Sequence, residues 1–255
     1  MSSLKSLLSD PSQSTPKPNS GLSIMRQEDT APTNSTAKAS SNTKGQRLQE
    51  SIRLFRNPML EALSHVHPWV PLVVWSPLVA WLLLRALWVH ELSFLAVSGV
   101  VLAGLVTWSL AEYLLHRFVF HFPAKSRLGR WLVFAFHGVH HDSPQDKSRL
   151  VMPPVPAALI LAMLWLLFGL VVPRPWIEPF MAAFISGYLI YDYMHYATHH
   201  FAMRHPVLRF IKRYHMQHHF SSEPGRFGVS SPLWDWVFGT YPEQGSSRNP
   251  GKESS

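Results

Sequence analysis

The stretch "KRYHMQHHF" at 212–220 places His215, His218 and His219 three and one residues apart, and "HGVHH" at 137–141 repeats the spacing with His137, His140 and His141. On a helix, positions i, i+3 and i+4 lie on neighbouring parts of one surface, so three such imidazoles can converge on one metal ion or divide between two. His195 and His199 in "HYATHH" are spaced i, i+4, and "HRFVFH" adds His116 and His121. Neutral imidazole suits Fe, Zn, Cu and Ni. The chain has no cysteine among its 255 residues, so thiolate ligation and disulfides are excluded. About ten imidazoles exceed what one ion can hold, since zinc usually takes four ligands, and two metals are implied.

These groups need elements that bring them together. Hydrophobic residues make up 47% of the chain and charged residues only 15%, and the polar part is concentrated in the N-terminal segment. Residues 1–50 are rich in Ser, Thr, Asn and Pro and hold no aromatic residue; they read as a disordered tail, as does 243–255. Four apolar stretches lie between, at about 69–89, 92–115, 155–172 and 177–197. Eighteen residues of helix rise roughly 27 Å, close to the hydrocarbon thickness of a bilayer. The expected fold is therefore all-α: a polytopic membrane protein of about four transmembrane helices, occupying 51–242, with a cytoplasmic, helical, histidine-rich dimetal domain.

Basic residues set the orientation. The loops "HE" and "PRPW" carry little positive charge, whereas Arg53, Arg56, Lys125, Arg127, Arg130, Lys147, Arg149, Arg204, Arg209, Lys212 and Arg213 flank the opposite ends of the spans. The positive-inside rule puts that side in the cytoplasm. The net charge of +8 is thus mostly topology, and no nucleic-acid motif accompanies it. Eleven of the fifteen histidines gather on this side. A lone histidine is most often a polar core residue; four groups at one depth point to a metal site. His90 lies across the membrane, His65 and His67 precede the first span and are expected to be solvated, and His205 is a helix-start residue. His200, five residues after His195, points off the His195/His199 face and is assigned a supporting role. Trp234, Trp236 and Phe238 read as interface anchors.

The ordered series "EYLLHRFVFH", "HGVHHDSPQDKSRLVMPP", "GYLIYDYMHYATHHF", "KRYHMQHHF" and "FGVSSPLWDWVFGTYP" resembles the fatty acid hydroxylase superfamily, which also holds sterol desaturases and sterol methyl oxidases. "RLVMPP" and "GVSSPLWDWVFGT" resemble its fatty acid 2-hydroxylase branch. The resemblance implies an integral membrane di-iron oxygenase that uses O2 and two external electrons to hydroxylate a lipid acyl chain at carbon 2 of a fatty acid or ceramide-type lipid. It implies His116, His121, His137, His140, His141, His195, His199, His215, His218 and His219 as ligands of two Fe ions, which zinc can replace in isolated protein. The His-Pro-Gly-Gly motif of a fused cytochrome b5 domain does not occur, so the electron donor would be a separate ferredoxin or cytochrome b5 type protein, attracted to a basic cytoplasmic face. The membrane would be a bacterial inner membrane or endoplasmic reticulum.

Physical chemistry agrees with that class, because removing an unactivated C–H hydrogen needs an oxidant that acids and bases do not supply. Nitrogen-only ligation leaves carboxylates to orient the imidazoles from behind. Glu112, one turn before His116, and Asp192, three before His195, are placed for this. The alternatives are a sterol or carotenoid hydroxylase or desaturase of the same superfamily and, from other classes, a membrane metal or haem carrier or a structural lipid-binding protein. A carrier should place its ligands near the bilayer midplane, whereas these histidines lie at or beyond the span ends. Deletion of residues 1–50 is expected to leave metal content and activity intact, because that segment lacks apolar residues with which to dock. Metal analysis and turnover of a well-expressed truncation check this.

Overall fold

The computed structural model describes residues 51–221 and 225–242. The tails at 1–50 and 243–255 that the sequence marks as disordered lie outside the described residues. Every regular element among the described residues is helical. In chain order they are α1 (Pro58–Ser64), α2 (Val70–Trp88), α3 (Phe94–Leu115), α4 (Arg127–Val133), α5 (Val139–Asp142), α6 (Pro154–Phe168), α7 (Arg174–His200), α8 (Pro206–Phe220) and α9 (Leu233–Val237). A π-helical turn, His116–Phe120, continues α3, and a second, Phe134–Gly138, joins α4 to α5. The chain divides into compact units between Ala62 and Leu63. Within the first, the Glu61 carboxylate accepts from the backbone N–H groups of Leu54 and Phe55.

Local sequence explains where the helices begin. Proline, whose missing N–H costs nothing in a first turn, opens α2, α6, α7 and α8. Ser93 caps α3 by accepting from Ala96 N–H, and Ser126 caps α4 by accepting from Gly129 N–H.

The second unit is organised around α7, which packs along α2 and α3. Its core joins Trp75 and Leu82 of α2, Trp108 of α3, Leu161 of α6, and Phe180, Phe184 and Tyr188 of α7. Two glycines let α3 and α7 approach. A Cβ on Gly104 would meet Phe180 O at 2.6 Å, and one on Gly187 would meet the Trp108 ring at 2.5 Å. Trp108 turns its ring edge-on to Phe184 and Tyr188, at centroid distances of 5.1 and 5.8 Å.

Among the described residues two helices, Val70–Trp88 and Phe94–Phe120, are long and apolar enough to cross a membrane. Their outward faces are apolar: Val73, Trp81 and Trp88 on α2, and Phe94, Leu95 and Leu102 on α3, are all exposed. So are Leu159, Met163 and Leu166 of α6. That helix is shorter than the 155–172 stretch expected. It ends at Phe168, with Gly169 as its C-cap, and 169–172 form turns before Pro173. The restriction that Pro173 places on Val172 comes only after the helix has already ended at Gly169. Fifteen residues rise roughly 22 Å. By contrast α7 is longer than its expected span, at 27 residues, and is buried over most of its length.

His90 stands apart from the other histidines. Arg85 makes two 3.0 Å bonds to the Glu178 carboxylate, and His90 Nε2 lies 3.2 Å from it. Glu178 is in the first turns of α7 and His195 in its last, roughly 25 Å away along the axis. His67 is exposed and His205 is the N-cap residue of α8, as expected. The expectation for His65 is corrected. Its Nδ1 lies 2.6 Å from Ser148 Oγ and its Nε2 2.8 Å from Arg149 Nη2. The loop after α5 folds back on it, with Val66 N–H donating to Ser148 O, and leaves it half-buried. Trp234 donates to Ser109 Oγ, and Phe238, which remains exposed, stacks on Tyr113 of α3. Trp236 faces outward.

Gly187→Val should lower thermal stability by about 1–3 kcal/mol, the usual cost of forcing side-chain volume into a packed contact. Gly99→Ala, where an added Cβ meets nothing within 4 Å, should be neutral or stabilising. Melting curves of the two variants in detergent check the contrast.

Candidate metal centre

Ten histidines form two groups of five. The first holds His116, His121, His137, His141 and His218; the second holds His140, His195, His199, His215 and His219. In each, five ligand nitrogens lie within 4.8 Å of one another. The two His-x-x-His-His pieces divide in the same way. The i and i+4 residues stay together, His137 with His141 and His215 with His219, while the i+3 residue crosses to the other group. His140 thus joins His215 and His219, and His218 joins His137 and His141.

The π-helical turns set the register. His116 and His121 are five residues apart, which on an α-helix would place them on different faces. The wider turn closes with His121 N–H on His116 O and turns both rings to one point. The second turn holds His137 immediately before α5, which presents His140 and His141. His195 and His199 come from the last turns of α7, and His215, His218 and His219 from the last turns of α8.

The spacing of the nitrogens tests the fit of a metal. In the first group Nε2 atoms lie 3.0 Å apart for His116–His137, 3.3 Å for His116–His121, 3.0 Å for His121–His218 and 2.9 Å for His137–His141. In the second they lie 3.0 Å apart for His140–His219, 2.8 Å for His140–His195, 2.9 Å for His199–His215 and 3.1 Å for His215–His219. Metal–nitrogen bonds of about 2.0–2.1 Å at right angles put neighbouring nitrogens about 3 Å apart. The donor set and its spacing therefore fit one ion at the focus of each group.

Electrostatics keep the rings neutral. Burial first, and neighbouring imidazoles second, hold His137, His140 and His215 well below their ordinary value. The same causes bring His141 down to about 3 and His199 to about 4. Neutral imidazole is the form that binds a metal. His116, His137, His140, His195, His199 and His215 are buried, whereas His121 is exposed and marks the open side of the first group.

The three supporting residues named from sequence stand as follows. Glu112 is buried but meets no imidazole among the described residues. Its carboxylate accepts from Val229 N–H at 2.8 Å, Ser230 N–H at 2.7 Å and the Ser230 hydroxyl. It acts on the 225–231 loop, because the His116 Nδ1 it was expected to orient is already bonded to Phe227 O. Asp192 is buried and accepts from the Tyr188 hydroxyl and the Met152 backbone N–H. His200 lies outside both groups, with its ring 4.6 Å from that of Tyr196.

Asp235 was not singled out from sequence. It is fully buried and accepts from Phe227 N–H, Gly228 N–H and the Thr240 hydroxyl. The signal was a lone carboxylate in an aromatic run, "PLWDWVF".

A family model described as fatty acid hydroxylase matches residues 101–240. The chain is 36% identical over 193 residues to the dihydroceramide fatty acyl 2-hydroxylase FAH2 of Arabidopsis thaliana, covering 76% of this chain and 81% of that one. It is 36% identical to the fatty acid 2-hydroxylase of Rattus norvegicus and 38% identical to the ceramide very long chain fatty acid hydroxylase SCS7 of Saccharomyces cerevisiae. It spans 56% and 50% of the lengths of those two. The solved structure of full-length scs7p, in which only the hydroxylase domain is visible, superposes with a TM-score of 0.71 at 37% identity, covering 76% of this chain and 74% of that one.

The neutral cluster gives a pH prediction for chelator-treated protein. In the unfolded chain each histidine takes a proton below about 6.5, while in the fold His199 and His141 resist until about 4 and 3. Stability should be full above pH 6.5 and fall as pH drops towards 4, with each such histidine adding about 1.4 kcal/mol per pH unit. Melting temperatures at pH 8, 6.5 and 5 check this; a flat profile would contradict it.

Proposed function

The chain belongs to the fatty acid hydroxylase family, and from that premise we propose that it is a membrane di-iron oxygenase that hydroxylates carbon 2 of a fatty acyl chain, free or in a ceramide-type lipid. The observation that carries the reading is the pair of five-histidine groups, whose nitrogens are spaced as ligands of two ions. The balance is R–H + O2 + 2 e⁻ + 2 H⁺ → R–OH + H2O. Two irons, when bound, supply the O2 activation that side chains lack. His116, His121, His137, His141 and His218 would hold one, and His140, His195, His199, His215 and His219 the other.

The chain's own residues do the rest. His116 and His218 keep their Nε2 lone pairs inward, because their Nδ1 atoms donate to the carbonyls of Phe227 and Gly225. The depressed basicity of His137, His140 and His215 keeps protons off the ligands. Asp192 ties α7 to the Met152 segment after the "HGVHH" piece, and so supports His195 from its own helix. His200 flanks the second group without joining it.

In the proposed membrane arrangement α2, α3, α6 and α7 all span. The exposed apolar faces of α2, α3 and α6 meet lipid, and the basic end with the histidines is cytoplasmic. The Arg85–Glu178–His90 cluster would then sit at the opposite surface. Carbon 2 lies beside an acyl head group, which suits a site just beyond the hydrocarbon edge. The two electrons would come from a separate acidic carrier docking on Lys125, Arg127 and Arg130, all exposed.

Expression in a host of defined lipid composition, followed by mass spectrometry, should show a gain of one oxygen at carbon 2 of fatty acids or ceramides. His140→Ala and His218→Ala should abolish that product and lower bound metal, while His90→Ala and His67→Ala should do neither. Full activity and two metals in His218→Ala would overturn the paired-site reading. A hydroxylated or desaturated sterol in place of the acyl product would move the chain to the sterol branch.

A further inference from the structure

The two histidine groups differ in what stands behind them. In the first, His116 Nδ1 is 2.5 Å from Phe227 O and His218 Nδ1 is 2.9 Å from Gly225 O. A backbone carbonyl only accepts, so both rings are fixed as Nδ1–H tautomers with a bare Nε2. Both carbonyls belong to one short loop, 225–231. In the second group the Nδ1 atoms of His140, His199, His215 and His219 are buried with no hydrogen-bond partner among the described residues.

The loop does not hold itself. Asp235 grips its first half through Phe227 N–H at 2.9 Å and Gly228 N–H at 2.7 Å, and Glu112 grips its second half through Val229 and Ser230. Thr240 ties the clamp to α3: its hydroxyl donates to Asp235 at 2.7 Å and lies 3.0 Å from the Tyr113 hydroxyl. Two glycines are required. A Cβ on Gly225, at φ +145°, would meet Thr240 O at 2.6 Å, and one on Gly228 would meet Ser231 O at 2.0 Å.

We infer that the two centres bind metal unequally, the His116/His218 centre more tightly, and that Asp235 is the positioning residue responsible. This rests on the two-metal reading above and goes beyond it. A ligand held in one tautomer and one orientation loses little freedom on binding, and its carbonyl partner raises the basicity of the nitrogen that binds. Such partners are typically worth 10–100-fold in affinity. Asp235 makes no hydrogen bond to an imidazole among the described residues and acts through the loop. The second centre is the more buried, which slows exchange, so affinities must be compared at equilibrium.

The test uses the full chain in detergent, loaded with zinc alone and equilibrated against a graded chelator, with zinc per chain as the readout. Wild type should release its ions in two steps at least about tenfold apart. His219→Ala should remove the weaker step and His218→Ala the tighter one. Asp235→Asn presents an amide N–H2 to one of the two loop N–H donors; it should weaken the tighter step 10–100-fold and leave the weaker one in place. Thr240→Val, a milder change that removes one donor to Asp235, should shift the same step in the same direction by less. It serves as the test if Asp235→Asn does not fold. Simultaneous release of both ions, or a shift of the weaker step instead, would overturn the inference while leaving two metals standing. Folded protein that takes up no zinc would remove the two-metal reading with it.

Discussion

Five neutral imidazoles aimed at one point repel through their lone pairs, and this chain builds that arrangement twice. The nitrogens sit about 3 Å from their neighbours, in surroundings that disfavour protonation of the rings. Protonation would relieve lone-pair contacts but would place like charges in a buried space. What remains is a rigid frame that carries the rings to their positions or a cation that draws them inward. The α3–α7 packing, with glycines where the backbones meet and Trp108 wedged against Phe184, supplies such a frame beneath the site.

Above that frame, backbone irregularities do the aiming. Regular α-helix would leave His116 and His121 on different faces; one π-helical turn corrects the mismatch at a cost in hydrogen-bond geometry. The 225–231 loop is irregular too and is held by two buried carboxylates. A buried carboxylate costs several kcal/mol unless its oxygens are paired. Glu112 and Asp235 each receive three donors, so both are satisfied while fixing the carbonyls that orient two ligands.

Helical spacing made the histidine sets legible in sequence, because it places i, i+3 and i+4 together whatever the tertiary fold. It left open which ring joins which group. Positions i+3 and i+4 differ by about 100° around the axis, and only the approach of α5 and α8 decides where each points. The apolar helices were legible as composition, yet the run at 155–172 hid a stop at Gly169 that hydropathy does not register. Glu112 was singled out for an imidazole partner it does not meet, since helix periodicity aligned it with His116 but could not show a loop from 117 residues away filling the gap. Asp235 was missed because its aromatic neighbours read as membrane anchors, and its donors are backbone groups that no sequence pattern announces.

The crossing of His140 and His218 has a consequence for which parts of the chain must be present together. Each centre draws on both His-x-x-His-His pieces, so neither corresponds to a contiguous stretch of chain. A segment carrying one piece alone brings three of the ten histidines, divided two and one between the groups, and completes neither.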